Sequence, residues 1–271
     1  MHLEYWGLSR APFASKLTIK DFFNSATHAE CLARLEYLVQ QSRRLSVLLG
    51  PSGTGKSLTL EVLARRLRRS GAYVAKLNLI GLDGPEFLWG LAAALGCHVY
   101  EDANTISVWR DVQDRLATLR YQRIPTVVLL DDADECETAA LTTVCRLTQM
   151  EQQPESKFTI VVACNSNGKQ MLGQRLLDLS ELPVEIEPLS QAETFDYVNV
   201  AIMRAGRNKT PFTDDALYTI HQYTRGIPRA INQLVELCLI GGASEQVETI
   251  DDNLVEAVRD AFYGEGIGAV A

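Results

Sequence analysis

Apolar residues along this chain fall into two kinds of run. Leu45-Ser46-Val47-Leu48-Leu49, Thr126-Val127-Val128-Leu129-Leu130 and Phe158-Thr159-Ile160-Val161-Val162-Ala163-Cys164 are short and continuous, with no alternation of polar and apolar residues. Such runs predict strands covered on both faces, as in a parallel sheet between helix layers. Further strands are expected over 73–79 and around 184–187. Between the strands the apolar residues recur at helical spacing, predicting helices over 58–67 and near 85–95, 105–121, 137–151 and 168–178. Ahead of the first strand, Thr27-His28-Ala29-Glu30 reads as a capping box, followed by Cys31, Leu32, Leu35, Leu38 and Val39 at helical spacing. Strands that alternate with helices predict an α/β unit with a parallel sheet.

The pattern changes after Pro188, beyond which no strand is expected. Ser190-Gln191-Ala192-Glu193 is a second capping box, and Gly206 can close the helix it opens. Thr213 can cap a helix over 214–224, Pro228 suits the first turn of a third helix, and 251–262 reads as a fourth. The expected organisation is an ordered extended arm over 1–26, an α/β domain over 27–189, a small helical domain over 190–263, and a frayed tail over 264–271 that includes Gly264, Gly266 and Gly268.

Composition narrows the class. The 271 residues are 46% apolar and 22% charged, an ordinary globular balance. No uncharged stretch is long enough to span a bilayer. Met1-His2-Leu3-Glu4 opens no secretory signal, so a cytoplasmic location is the expectation. A net charge of −8 supplies no global attraction for nucleic acid. The six cysteines and four histidines follow no metal-ligand spacing and read as free thiols and scattered imidazoles.

The chemistry concentrates in two places. Gly50-Pro51-Ser52-Gly53-Thr54-Gly55-Lys56-Ser57 fits G-x-x-x-x-G-K-[ST] at every fixed position, between an expected strand and an expected helix. Its glycines allow the backbone to turn so that successive N–H groups face one concavity at a helix N-terminus. Lys56 is expected to reach the β/γ-phosphates of a nucleotide, and the Ser57 hydroxyl to ligate Mg²⁺. The strand 126–130 then ends in Asp131-Asp132, at the sheet edge where open α/β sheets bind ligands. Asp131 is assigned to Mg²⁺ and Asp132 to orienting or activating the attacking water. Asn208-Lys209 is followed by Thr210 and Pro211, so the N-K-x-D signature of a guanine reader is missing.

The layout resembles that of the AAA+ ATPases: a five-strand α/β core, then a helical lid. The opening Tyr5-Trp6-Gly7-Leu8 with Pro12-Phe13 resembles the start of the ExeA/GspA-type ATPases of general secretion. So do His28-Ala29-Glu30, Leu32-Ala33-Arg34-Leu35, Pro188-Leu189-Ser190 with Glu193-Thr194, Ala205-Gly206, and Gly226-Ile227-Pro228-Arg229-Ala230-Ile231-Asn232. The resemblance covers almost the whole chain to about residue 260. It implies ATP with Mg²⁺ as cofactors, Asn165 as the polar sensor after the strand 158–164, and Arg229 as the lid arginine, with Arg225 as fallback. One departure stands out: the family ends its strand with Asp-Glu, whereas Asp132 here is one methylene shorter. No trans-acting arginine lies at the expected register, Arg175 being a weak substitute.

Together these readings point to an ATP-binding AAA+ ATPase with slow turnover that switches or drives an unidentified protein partner, with a homo-oligomer among the arrangements the resemblance allows. Two alternatives stand beside it: a DNA-transaction regulator of the transposition type, and an ATP-binding scaffold without turnover. The run Arg65-Arg66 and Arg68-Arg69 tempts a DNA reading. A solvated helix end before Gly71 accounts for it more simply, and DNA is the disfavoured partner.

Overall fold

The computed structural model describes residues 2–13, 18–98, 103–150, 153 and 156–263. Its regular elements in chain order are α1 (His2–Tyr5), α2 (Ala26–Gln40), β1 (Leu45–Gly50), α3 (Lys56–Arg69), β2 (Tyr73–Asn78), α4 (Gly84–Ala94), α5 (Thr105–Tyr121), β3 (Thr126–Asp131), α6 (Thr138–Met150), β4 (Phe158–Asn165), α7 (Gly173–Leu179), β5 (Leu182–Glu185), α8 (Gln191–Arg204), α9 (Asp214–Thr224), α10 (Pro228–Glu245) and α11 (Asp252–Tyr263). Two compact units emerge: Ala26–Ser52 with Lys56–Ile186, and Met1–Ser25 with Gly53–Gly55 and Glu187–Ala271.

The first unit is a five-stranded sheet in the order β2-β3-β4-β1-β5, with every pair parallel. Every residue of β1 and β3 is buried, and so is every residue of β4 but its half-buried last one. That is why their sequences carry no alternation: helices cover both faces. The edge strands differ. β2 is partly open, and β5 is four residues long and contains Pro183, which an edge strand tolerates because a missing N–H breaks no inner ladder. Phe87, Leu88 and Leu91 of α4, Val112 of α5 and Val144 of α6 pack with Val128, Leu130, Ile160 and Val162 of the sheet. Connections leave β1 for the far edge and return strand by strand, while β5 takes the other side of β1. The order therefore reverses at β1, where ligands bind in sheets of this class.

The second unit is helical. Ser190 caps α8 and forms the expected box with Glu193, Thr213 caps α9 by accepting from the Ala216 N–H, and Pro228 opens α10. Gly206, at φ +105, follows the last turn of α8. No strand element occurs in it among the described residues, only a parallel bridge between Phe212 and Ile250. Trp6, Leu8 and Phe13 are buried in the same core as Tyr197, Val198, Ile202, Val235 and Val255. The Trp6 indole donates to the Leu239 carbonyl at 2.7 Å, and Ser9 binds the Ala205 carbonyl through both its N–H and its hydroxyl.

Several local expectations need correction. The N-terminal segment is not extended throughout: it opens with the single turn α1 and closes with a 3₁₀ turn, Ile19–Asp21. Short turns of this kind leave no periodic signal. Helix α2 begins at Ala26, so Thr27 lies inside its first turn and the apparent capping box is not a cap. The helix expected over 168–178 is instead a 3₁₀ segment, Ser166–Leu172, followed by α7, with Gly173 at φ +73 breaking the run. The expected fraying of 264–271 concerns residues outside those described.

Candidate nucleotide site

The loop Gly50–Ser57 leaves the sheet at the end of β1 and enters α3. Gly53 and Gly55 adopt φ +85 and +97, conformations closed to most L side chains. Lys56 is 8% exposed, and its ammonium donates to the Gly50 carbonyl at 2.8 Å and the Pro51 carbonyl at 3.1 Å. Thr54 is buried as well. Burial pulls the Lys56 pKa down, and the carboxylates of Asp134, Asp132 and Asp131 oppose that shift. The lysine is thus tethered to its own loop and faces a cluster of acids.

Strand register assembles the rest. Gly50 pairs with Asn165 across β1 and β4, and β3 flanks β4 on its other side. The loop, Asn165 and the two acids therefore share the C-terminal edge of three adjacent strands. Asp131 is 3% exposed. Burial raises its pKa, while a hydrogen bond from Ser57 lowers it and the charge of Asp132 raises it further. Ser57 and Asp131 thus present two hard oxygen ligands side by side, the donor type Mg²⁺ takes when water and substrate phosphates complete its octahedron. No group of three or more His, Cys, Asp or Glu among the described residues is arranged to hold a metal by itself. The residues present fit Mg²⁺ and a nucleotide.

Asp132 sits at φ +52, a left-handed conformation that short polar side chains tolerate best. Its carboxylate accepts from the Asn78 amide at 2.7 Å, and Asn78 is the β2 residue paired with Asp131. Asn165 caps the following 3₁₀ turn by accepting from the Asn167 N–H at 3.1 Å. Its own N–H donates to the Asp134 carboxylate at 3.0 Å. Asn78 and Asp134 escaped the sequence reading, although the acid-rich run Asp131-Asp132-Ala133-Asp134-Glu135 was a visible signal for Asp134.

Arg229 belongs to the helical unit, which includes Gly53–Gly55. Its N–H donates to the Gly53 carbonyl at 3.2 Å, and a Cβ on Gly53 would lie 2.8 Å from the Arg229 Cβ. Arg225, the alternative lid cation, caps α9 at φ +50. Arg175 lies on α7, where its charge acts on Cys145. In the basic run at the end of α3, Arg66 pairs with Glu36 at 3.1 Å and Arg68 donates to the Val74 carbonyl at 3.2 Å.

A family model described as "AAA domain" matches residues 39–172, which contain the loop, Asp131, Asp132 and Asn165. The chain has a P-loop NTPase fold with a helical C-terminal region and resembles the ExeA/GspA-type ATPases. General secretion pathway protein A of Aeromonas hydrophila is 29% identical over 251 residues, 89% of this chain and 44% of that protein. The chain thus spans less than half the length of that relative. Among solved structures, the Drosophila origin recognition complex bound to DNA matches with TM-score 0.71 and 16% identity, covering 93% of this chain and 64% of that one. Cdc6p of Pyrobaculum aerophilum matches with TM-score 0.67 and 18% identity, covering 90% and 71%. At those identities the structural likeness speaks to the fold. No helix among the described residues is long and apolar enough to cross a membrane.

Proposed function

We propose that the chain binds ATP with Mg²⁺ and hydrolyses it slowly to switch or drive a protein partner, in the cytoplasm. The reading rests on one observation above the others: Lys56, the Ser57–Asp131 pair, Asp132 and Asn165 meet at the C-terminal edge of three adjacent parallel strands. The loop N–H groups and Lys56 take the phosphates, Ser57 and Asp131 hold the ion, Asp132 orients water, and Asn165 and Arg229 contact the terminal phosphate. Bound Mg²⁺ neutralises charge on the phosphate oxygens. Adenine is preferred over guanine on the family resemblance. Asp132 is the weak point for rate, being short and already engaged by Asn78.

Phosphate release by the wild type and by Lys56→Ala, with ATP and with GTP, tests the proposal. Slow, Mg²⁺-dependent release from ATP that disappears in the variant supports it. Release from GTP alone refutes the adenine assignment. ATP binding with no release supports the scaffold reading instead. The secretion resemblance favours a protein partner over DNA. The paired Arg66 and the main-chain-bound Arg68 give the DNA reading little to stand on, and a salt-dependent DNA affinity would reverse that choice.

A further inference from the structure

We infer that Asp134 is a positioning residue that sets Asn165 for the reaction, an inference that rests on the ATPase reading. The ladder between β3 and β4 ends at Leu130 and Val162, whereas β4 runs on to Asn165. Beyond the ladder β3 can no longer accept from β4. The Asn165 N–H takes the Asp134 carboxylate instead, at 3.0 Å, from the turn that follows Asp132. The same side chain abuts Gly168: a Cβ built there would fall 2.5 Å from both Cβ and Oδ2 of Asp134. Asp134 therefore touches the segment 165–168 at both ends. Between those ends, Asn165 caps Asn167 with its side-chain oxygen. The turn carrying Asp132 and the segment carrying Asn165 are joined through this one carboxylate, which contacts no substrate in the proposed reaction.

The consequence is a specific split in kinetics. Asp134→Ala should lower turnover by roughly ten- to a hundredfold, the range expected when a part-buried N–H loses a charged acceptor, if that bond holds Asn165 in its reactive position. ATP affinity should fall by no more than about threefold, because Ser57 and Asp131 are untouched and the lost Asp134 charge, which acts on Lys56, would only repel phosphate. Asp134→Asn keeps an acceptor oxygen and should retain most of the rate. In the Asn165→Ala background, Asp134→Ala should add little, because the two act as one unit. Hydrogen exchange at the Asn165 amide should rise in Asp134→Ala and stay low in Asp134→Asn.

The experiment is steady-state phosphate release and ATP binding for these variants and the double mutant, with amide exchange alongside. A wild type without turnover removes the ATPase reading, and this inference with it. A wild type that turns over beside an equally active Asp134→Ala overturns the inference alone. So do losses that multiply between Asp134→Ala and Asn165→Ala, or a loss of affinity that matches the loss of rate. Should Asp134→Ala fail to fold, Gly168→Ala decides. Its methyl must displace Asp134 or its segment, so it should lose rate, and wild-type turnover in it would overturn the proposal.

Discussion

A single methyl group at residue 226 should separate steric from conformational strain in the helical unit. Gly226 has φ +72, and an added Cβ would lie 1.9 Å from the Leu189 carbonyl oxygen and 2.9 Å from its carbon. The same two residues share a backbone hydrogen bond, Leu189 N–H to the Gly226 carbonyl at 2.8 Å. Gly7, in the same unit, has φ +64 and no atom within 4 Å of its hypothetical Cβ. Gly7→Ala therefore carries the left-handed term alone, about 1–2 kcal/mol. Gly226→Ala carries that term plus an overpacking term of about 1–3 kcal/mol, because the obstacle is backbone and cannot rotate away. The expected destabilisation is roughly 2–5 kcal/mol for Gly226→Ala. Urea unfolding can read this unit selectively. Of the three tryptophans, Trp6 is buried in the helical core, while Trp89 and Trp109 belong to the α/β core. In a Trp89→Phe, Trp109→Phe background the fluorescence transition reports the helical unit. A Gly226→Ala midpoint no lower than that of Gly7→Ala would refute the steric argument.

Other outcomes follow from the site and the core. ATP with Mg²⁺ at a hundred times Kd should stabilise the wild type by about 2.7 kcal/mol, and Lys56→Ala should lose most of the thermal shift. Asp132→Asn should lower turnover while leaving ATP affinity intact, whereas Asp131→Asn should weaken the Mg²⁺-dependent part of binding in calorimetry. Burial pushes the Cys31 and Cys238 thiols up to about 12. Their contribution to stability is therefore complete below the unfolded pKa of about 8.5 and is lost as pH rises through the folded value. Native protein at pH 8 should leave both unalkylated by iodoacetamide in mass spectrometry and modify them in urea. Rapid native modification would place these side chains outside the core.

Much of the sheet was legible because its central strands are buried on both faces, and burial on both faces writes an unbroken apolar run that needs no tertiary knowledge to read. The loop Gly50–Ser57 and Asp131-Asp132 stood out as candidates for the same kind of reason, since the phosphate and Mg²⁺ chemistry proposed for them demands particular residue types at fixed spacing. The N-terminal arm was not. Trp6, Leu8 and Phe13 have no period of their own, and only a core built by helices nearly two hundred residues later gives them somewhere to be buried. The apparent cap at Thr27 failed for a related reason: a capping box is a local pattern, and the helix begins at Ala26, two residues before the start that a Thr27 cap requires. Asn78 and Asp134 belong to the same class. The acid-rich run marked Asp134 and nothing marked Asn78, but each acquires its partner only through strand order, which places the end of β2 beside Asp132 and the turn after β3 beside Asn165. Covalent sequence determines which side chains can bind a phosphate. The order of parallel strands, reached by crossovers that leave no local signature, decides which carboxylate holds which neighbour.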